Sequence, residues 1–258
     1  VHAEVRVEAR RTATGRTAFP VLRSQPPLTA RLAGDAVWLV GTAAGPLGGD
    51  RVEVDLGVGG GVELTVRSAA ATVALAGDAG EGSALVVRAV VGSDARLLWL
   101  PEPLVATGRC NHRSTARISM EPGAVLVWRE ELVAGRTGEA PGSCAVAMQV
   151  DTADGPVLRH ELRIGPGAPG WAGPAVLDGA RATGTVVVVG VPDLPVTTVV
   201  LPLGAVVQPL PAGGVLVTAL APGAAAVRQA LDEAVDRLVT RRSRSGFGDT
   251  GGAPATMV

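Results

Sequence analysis

Val52-Glu53-Val54-Asp55-Leu56-Gly57-Val58, then Gly59-Gly60-Gly61, then Val62-Glu63-Leu64-Thr65-Val66: the reading of this stretch decides the fold. Apolar side chains take every second place and polar residues or Gly take those between, which is the period of a strand with one face buried. The glycine run separates two such strands as a turn. Outward from it, His2 to Glu8 sets Ala3, Val5 and Val7 against Glu4, Arg6 and Glu8. Similar runs return at Leu97–Leu100, Val125–Val133, Ala145–Val150 and Val157–Ile164, rich in Val and bounded by Gly, Pro and Asp. The chain is therefore expected to be mainly β.

A weaker regularity lies on top. Gly61, Asp94, Gly123, Gly155, Gly184 and Gly214 each precede or open a short apolar run, at spacings of 33, 29, 32, 29 and 30 residues. A near-constant period of turn, strand and return is how stacked β-coils read in sequence. In a chain with 35 glycines the same spacing also fits an ordinary β-sandwich.

Helix is scarce. After Pro222, Val227, Leu231, Val235 and Leu238 fall on one helical face, with Arg228, Asp232, Glu233, Asp236 and Arg237 on the other. One amphipathic helix near Val227–Leu238 is expected to dock on the sheet. Residues 1–240 are read as the folded scaffold domain, and 241–258, rich in turn formers, as a disordered tail. The longest apolar region, Ala182 to Val227, has Asp193 as its only charge, but six prolines interrupt it. A bilayer-spanning helix needs roughly 20 continuous apolar residues; this region reads instead as buried strands, proline turns and a surface for a partner.

The net charge of −1 and pI near 6.4 give no general attraction to nucleic acid or to anionic membranes. All basic residues other than His are Arg, with no Lys and no Tyr. Two cysteines, Cys110 and Cys144, make no disulfide framework in a chain this long, and Val1 to Arg10 has no apolar leader, so a cytoplasmic location is expected.

The most distinctive stretch is Gly41-Thr42-Ala43-Ala44-Gly45-Pro46-Leu47-Gly48-Gly49-Asp50. Gly48-Gly49 permits a turn with positive φ, and Asp50 emerges at the mouth of the next strand. Further motifs follow in order. Gly15-Arg16-Thr17 and Leu22-Arg23-Ser24-Gln25-Pro26-Pro27-Leu28 lie upstream. Arg67-Ser68-Ala69-Ala70-Ala71-Thr72 and Trp99-Leu100-Pro101-Glu102-Pro103 lie downstream, and then come Glu130-Glu131-Leu132 and Gly135-Arg136-Thr137-Gly138-Glu139. This series, over roughly residues 15 to 240, resembles the UreD (UreH) family of urease accessory proteins, shortened in the manner of its actinobacterial members. Its LGGD, TTQAAT-like, WLPEP and E-x-x-x-x-GR-x-x-GE segments all have counterparts here. Ala69, Val73 and Leu75 depart from that family's Gln, Lys and Tyr, so these positions supply no polar tunnel wall.

The resemblance implies a β-stacked, non-enzymatic scaffold with one or two helices in its C-terminal half. Such a protein is required for urease maturation by nickel insertion. It would bridge apo-urease and the UreF–UreG GTPase complex, with UreE involved only indirectly, and offer transient nickel(II) an internal passage with no tightly bound cofactor. The chain is not itself the GTPase, since it has no phosphate-binding Gly-x-x-x-x-Gly-Lys loop.

A transit path must bind nickel weakly, and sparse carboxylates suit that need. Asp50, Glu102, Glu131 and Glu139 are the nickel-passage candidates, each open also to a plainer role as an exposed or Arg-paired carboxylate, or for Asp50 a turn cap. Gly48, Gly49 and Arg136 are motif and turn residues, and Arg136 with Glu139 also reads as a local clamp. Cys110 and His112, two apart, share one strand face and offer a soft and an imidazole ligand, against ordinary strand packing. Two other functions stay open: a β-rich enzyme using paired carboxylates such as Glu102 and Glu131, and an assembly scaffold for another metallocentre. The latter would normally carry more Cys.

Overall fold

The computed structural model describes residues 1–240; the expected tail, 241–258, lies outside the described residues. The chain opens with β1 (His2–Arg11), β2 (Thr17–Ser24), β3 (Leu28–Ala33) and β4 (Ala36–Gly41). The alternating stretch then becomes β5 (Arg51–Val58) and β6 (Glu63–Ser68), followed by a short third side, β7 (Thr72–Ala74). The chain returns beside β5 as β8 (Ser83–Val91) and makes a second coil with β9 (Arg96–Leu100) and β10 (Leu104–Ala106). A third coil comprises β11 (Asn111–Met120) and β12 (Val125–Ala134), and β13 (Ser143–Thr152) lies beside β11.

Strands β5, β8, β11 and β13 pair in parallel, as do β6, β9 and β12. The register stacks Val54, Val87, Ala116 and Met148, which are 33, 29 and 32 residues apart. This is the coil period. Its corners fall at Gly61, Asp94 and Gly123, with φ of +64°, +56° and +72°. That left-handed conformation is free for Gly and tolerated by Asp.

The period stops there. Gly155 opens β14 (Gly155–Ile164), which folds back antiparallel on β13 and closes one end of the stack, while β1 and β2 cover the other. The Ala182–Val227 region supplies β15 (Ala182–Val189), β16 (Val199–Val200), β17 (Val206–Pro209) and β18 (Val215–Ala221). Gly184 lies inside β15, and Gly214 turns the hairpin into β18, so neither is a coil corner. The result is a seven-stranded sheet, β14-β13-β11-β8-β5-β1-β2, facing an eleven-stranded one with the path β16-β17-β18-β15-β12-β9-β6-β4-β3 and β7 and β10 beside it.

The inward faces meet in a core that includes Val5, Val54, Leu64, Leu97, Ile118, Leu126 and Trp128. A one-residue slip in any of these strands would turn its apolar row to solvent, which fixes the register. A second core lies under helix α1 (Ala224–Val235), where Val227 and Leu231 pack with Val186, Val188 and Val217. The helix starts earlier than Val227 because Ala224–Ala226, good helix formers without an apolar period, fill its first turn. It ends in a π-helical turn, Asp236–Thr240, that still buries Leu238. Strand β15 is buried along its whole length between its neighbours, the core and α1, which explains its unbroken apolar run. A third cluster gathers Cys110, Cys144, Ile164 and Leu177. No helix among the described residues is long and apolar enough to cross a membrane.

Candidate functional site

The wall of coils has a break where the motifs lie. Strand β9 pairs with β12 only as far as Trp99 opposite Trp128, and β10 resumes at Leu104 opposite Leu132. Between them Pro101-Glu102-Pro103 faces Arg129-Glu130-Glu131 without a ladder. Pro101 and Pro103 have no N–H to donate, and the Glu102 N–H turns instead to Oγ of Ser68, at 2.8 Å. On the neighbouring coil the ladder likewise lapses between Arg67 and Thr72. Three motif segments from three coils thus stack around one opening in the sheet.

Behind it lies a cavity of about 100 Å³ between the sheets. Its wall is mainly apolar, including Leu28, Val54, Trp99 and Leu132, with Ser68, Thr72, Ser114, Glu130, His160 and Thr185 as polar points. Glu102 and Glu131 line the side towards the opening. A second cavity, about 470 Å³, shares Leu28, Leu39, Ser68, Thr72 and Leu85 with the first. It reaches the surface beside exposed Ala43, Ala44 and Ala69–Ala71. Val73 and Leu75 also line it, so this mouth is apolar, as the departures from the family pattern imply.

Glu130 is the titratable group of the β12 motif that points inward. It shares the strand face of Leu126, Trp128 and Leu132, and the Trp128 indole N–H donates to its Oε1 at 3.1 Å. It is half-buried and lines the cavity. Burial pushes its carboxyl up to about 7, against the pull of the Trp128 hydrogen bond. His160 approaches the same cavity from β14, its imidazole pKa lowered by burial. Sequence reasoning passed over Glu130 in favour of Glu131. Two signals could have found it: Glu130 stands five residues before Gly135, with four between, as E-x-x-x-x-GR requires, and its parity matches Trp128.

Glu131, on the opposite face of β12, belongs to an ion network beneath α1. Arg228 donates Nε to Glu131 at 2.5 Å and its terminal nitrogens to both oxygens of Glu102, at 3.0 and 3.2 Å. Arg129, buried, reaches Asp232 of α1 at 2.7 Å and lies 3.1 Å from Glu131. Burial would lower the Arg228 pKa, but the two carboxylates raise it; burial likewise pushes Glu131 up, while Arg228 and Arg129 draw it back. Arg228 holds Glu102 below the ordinary carboxylate range.

The other candidates lie elsewhere. Asp50 is buried at the end of its turn, accepting the Leu47 N–H at 2.9 Å and the Val1 amino group at 2.8 Å, and it lines neither cavity. Burial pushes its carboxyl up, and those bonds more than reverse the shift. Of the two turn glycines, Gly49 has φ +84°, whereas Gly48 is needed for close approach. A Cβ at Gly48 would stand 2.6 Å from Cα of Gly77 and 2.5 Å from the Glu81 carbonyl oxygen. Glu139 takes three hydrogen bonds from Arg136, from its backbone N–H, Nε and Nη2, which hold its carboxyl down to about 2 in a surface clamp. Arg181 donates to the carbonyls of Ala134, Arg136 and Glu139 around it.

His112 and Cys110 are both buried, and the register brings Cys144 beside His112. His112 Nδ1 bonds Oγ of Ser83 at 2.9 Å, its Nε2 is buried without a partner, and burial lowers its pKa to about 4. Burial raises both thiols, Cys144 to about 12. No group of three metal-ligating side chains forms among the described residues.

Comparison with known proteins agrees with the motif series. The family described as UreD urease accessory protein matches residues 1–246. The urease accessory protein UreD of Streptomyces avermitilis is 44% identical over 247 residues, covering 92% of this chain and 98% of its own length. That of Streptomyces coelicolor is 44% identical over 246 residues, with 92% and 97% covered. Urease accessory protein UreD 2 of Saccharopolyspora erythraea is 39% identical over 247 residues, with 91% and 87% covered.

Proposed function

Because this chain belongs to the UreD family of urease accessory proteins, we propose that it serves urease maturation as a non-catalytic scaffold carrying a passage for nickel(II). The observation that carries this reading is the break in the coil wall. The Ser68–Ala71, Pro101–Pro103 and Arg129–Glu131 segments converge there on a largely apolar cavity with few, separated polar groups. Such a lining suits transit. Ni²⁺ accepts carboxylate, imidazole, hydroxyl and water ligands, and a path must offer these one at a time, since a closed cage would retain the ion.

Within the path, Glu130 is the strongest inward ligand. It is neutral or singly charged near neutral pH, so an arriving cation displaces its proton and gains a carboxylate partner in a medium of low dielectric constant. His160 and Ser114 add neutral ligands on the facing sheet. Glu102 and Glu131 lead out towards α1. Asp50, Gly48 and Gly49 are assigned to shaping the loop beside the apolar mouth, and Glu139 with Arg136 to bracing the turn after β12. Enzymatic use of Glu102 and Glu131 is disfavoured because one guanidinium already holds both.

The proposed partners are apo-urease and the UreF–UreG complex, with UreE acting indirectly. The exposed apolar side chains of Val196, Val200 and Leu203, the last of them beside α1, offer a surface for one of them. The reading is tested by purifying the complex with apo-urease from cells carrying Glu130→Gln and measuring nickel per urease active site. The expected result is normal complex yield with reduced nickel. Normal nickel at normal yield removes Glu130 from any transit role.

A further inference from the structure

The opening in the sheet is plugged. Arg228 sets one guanidinium between Glu102 and Glu131, at 2.5 to 3.2 Å from their oxygens, in the place a free cation would take. The side chain of Glu131 is only 2% exposed, and its Oε2 is buried with no hydrogen-bond partner. Arg228 thus leaves one oxygen of Glu131 over, while Nε of Arg129, 3.1 Å from the other oxygen, is also buried without a hydrogen-bond partner. Glu102 and Glu131 are held by Arg228 and Arg129, and Arg67 adds a further positive charge near Glu102. Beside a carboxylate as buried as Glu131, the attraction for a cation is far stronger than at the surface.

Arg228 is carried by α1, whose contact with the sheet is unusually close. A Cβ at Gly184 would stand 2.6 Å from Cδ1 of Leu231 and 2.8 Å from Cγ1 of Val227, and Gly184 itself lines the cavity. The helix, its arginine and the cavity wall form one mechanical unit.

We propose that Arg228 is a displaceable, tethered cation: a divalent metal ion entering the opening takes Glu102 and Glu131 from it, and loss of these ion pairs loosens α1 from the sheet. This rests on the passage reading above. Linkage makes the coupling reciprocal, so anything that clamps α1 to the sheet weakens metal binding by the same factor.

The test uses nickel chloride and the full chain. Calorimetric titration compares the native protein with Arg228→Met and Arg228→Lys, and hydrogen exchange follows residues 224–235 with and without nickel. Arg228→Met should bind nickel at least about tenfold more tightly, since a competing charge a few ångströms away is gone. Arg228→Lys, a point charge that cannot serve both carboxylates, should fall between. Adding Glu102→Gln to Arg228→Met should abolish the gain. In the native protein nickel should speed exchange in α1. Unchanged or weaker affinity in a folded Arg228→Met protein overturns the plug, as does α1 exchange that nickel leaves unchanged or slows. Should Arg228→Met not fold, the exchange measurement on the native protein decides alone. Nickel binding that is lost with Glu130→Gln but insensitive to Arg228 overturns the plug and spares the passage. No binding by any form overturns both.

Discussion

Trp128 holds Glu130: the indole N–H of one donates to the carboxylate of the other, two residues along the same inward face of β12, at 3.1 Å. The bond favours the ionised carboxylate, yet burial dominates, and the group titrates at about 7 instead of its ordinary 4.5. Below pH 4.5 the folded and unfolded forms are both protonated. Between 4.5 and 7 the unfolded chain releases a proton that the folded one keeps, so the contribution of Glu130 to stability is lost as pH rises through that window. Glu130→Gln should therefore flatten the stability profile over this range and exceed the native protein at pH 8 by up to about 3 kcal/mol. Urea denaturation at pH 5 and pH 8 reads this; a variant no more stable at pH 8 contradicts the buried-acid assignment.

His112 gives the opposite limb. Its folded pKa is lowered to about 4 from an ordinary 6.5, so stability attributable to it is present above 6.5 and declines as pH falls towards 4. His112→Gln, which can still bond Ser83, should remove that part of the acid sensitivity, on the order of 3 kcal/mol at pH 4. Melting temperatures between pH 4 and 6.5 are the check; parallel curves for the two proteins would refute it.

Gly48→Ala should be costly because backbone blocks its Cβ on two sides, at Gly77 and Glu81. A loss above about 2 kcal/mol or poor soluble yield is expected, as for overpacking without relief. Gly57→Ala is the control: its Cβ makes only ordinary van der Waals contacts, with Cγ of Glu8 at 3.5 Å and the Val7 carbonyl oxygen at 4.0 Å, so the change should stay within about 1 kcal/mol. Similar denaturation midpoints for both variants would dismiss the close-approach account.

Gly184→Ala and Leu231→Ala should not add. The first drives a methyl against Leu231 and Val227, and the second leaves a hole at that spot. Leu231→Ala alone should cost about 2–5 kcal/mol. The pair should cost less than the sum by roughly 0.5–3 kcal/mol, which a double-mutant cycle measures directly. Strict additivity would mean that α1 shifts freely on the sheet.

Alternation was legible because each coil strand buries one face, so Val52 to Val58 declared both its strand and its core side. The corners were legible only in part. Gly61, Asp94 and Gly123 mark real turns, but Gly155, Gly184 and Gly214 share the spacing for unrelated reasons: a hairpin, a helix contact and another hairpin. The WLPEP segment could be recognised as a motif, yet nothing along the chain says that its two prolines open a ladder, because a ladder exists only between strands. The same holds for Arg228, read as the polar side of an amphipathic helix. Its carboxylate partners lie 97 and 126 residues away, and no period connects them.

Trp99, in the cavity wall, stacks on Trp128 with centroids 4.7 Å apart and planes 10° from parallel, close enough for their excited states to mix. Near-ultraviolet circular dichroism of this protein should accordingly carry a coupled indole band that unfolding erases. Since the Trp128 ring is also the donor to Glu130, ionisation or cation capture there perturbs one member of the coupled pair. Trp38 and Trp171 contribute a background outside it, removable by Phe substitution. The wall of the cavity is in this sense its own chromophore, and the arrival of an ion can be watched without attaching a dye.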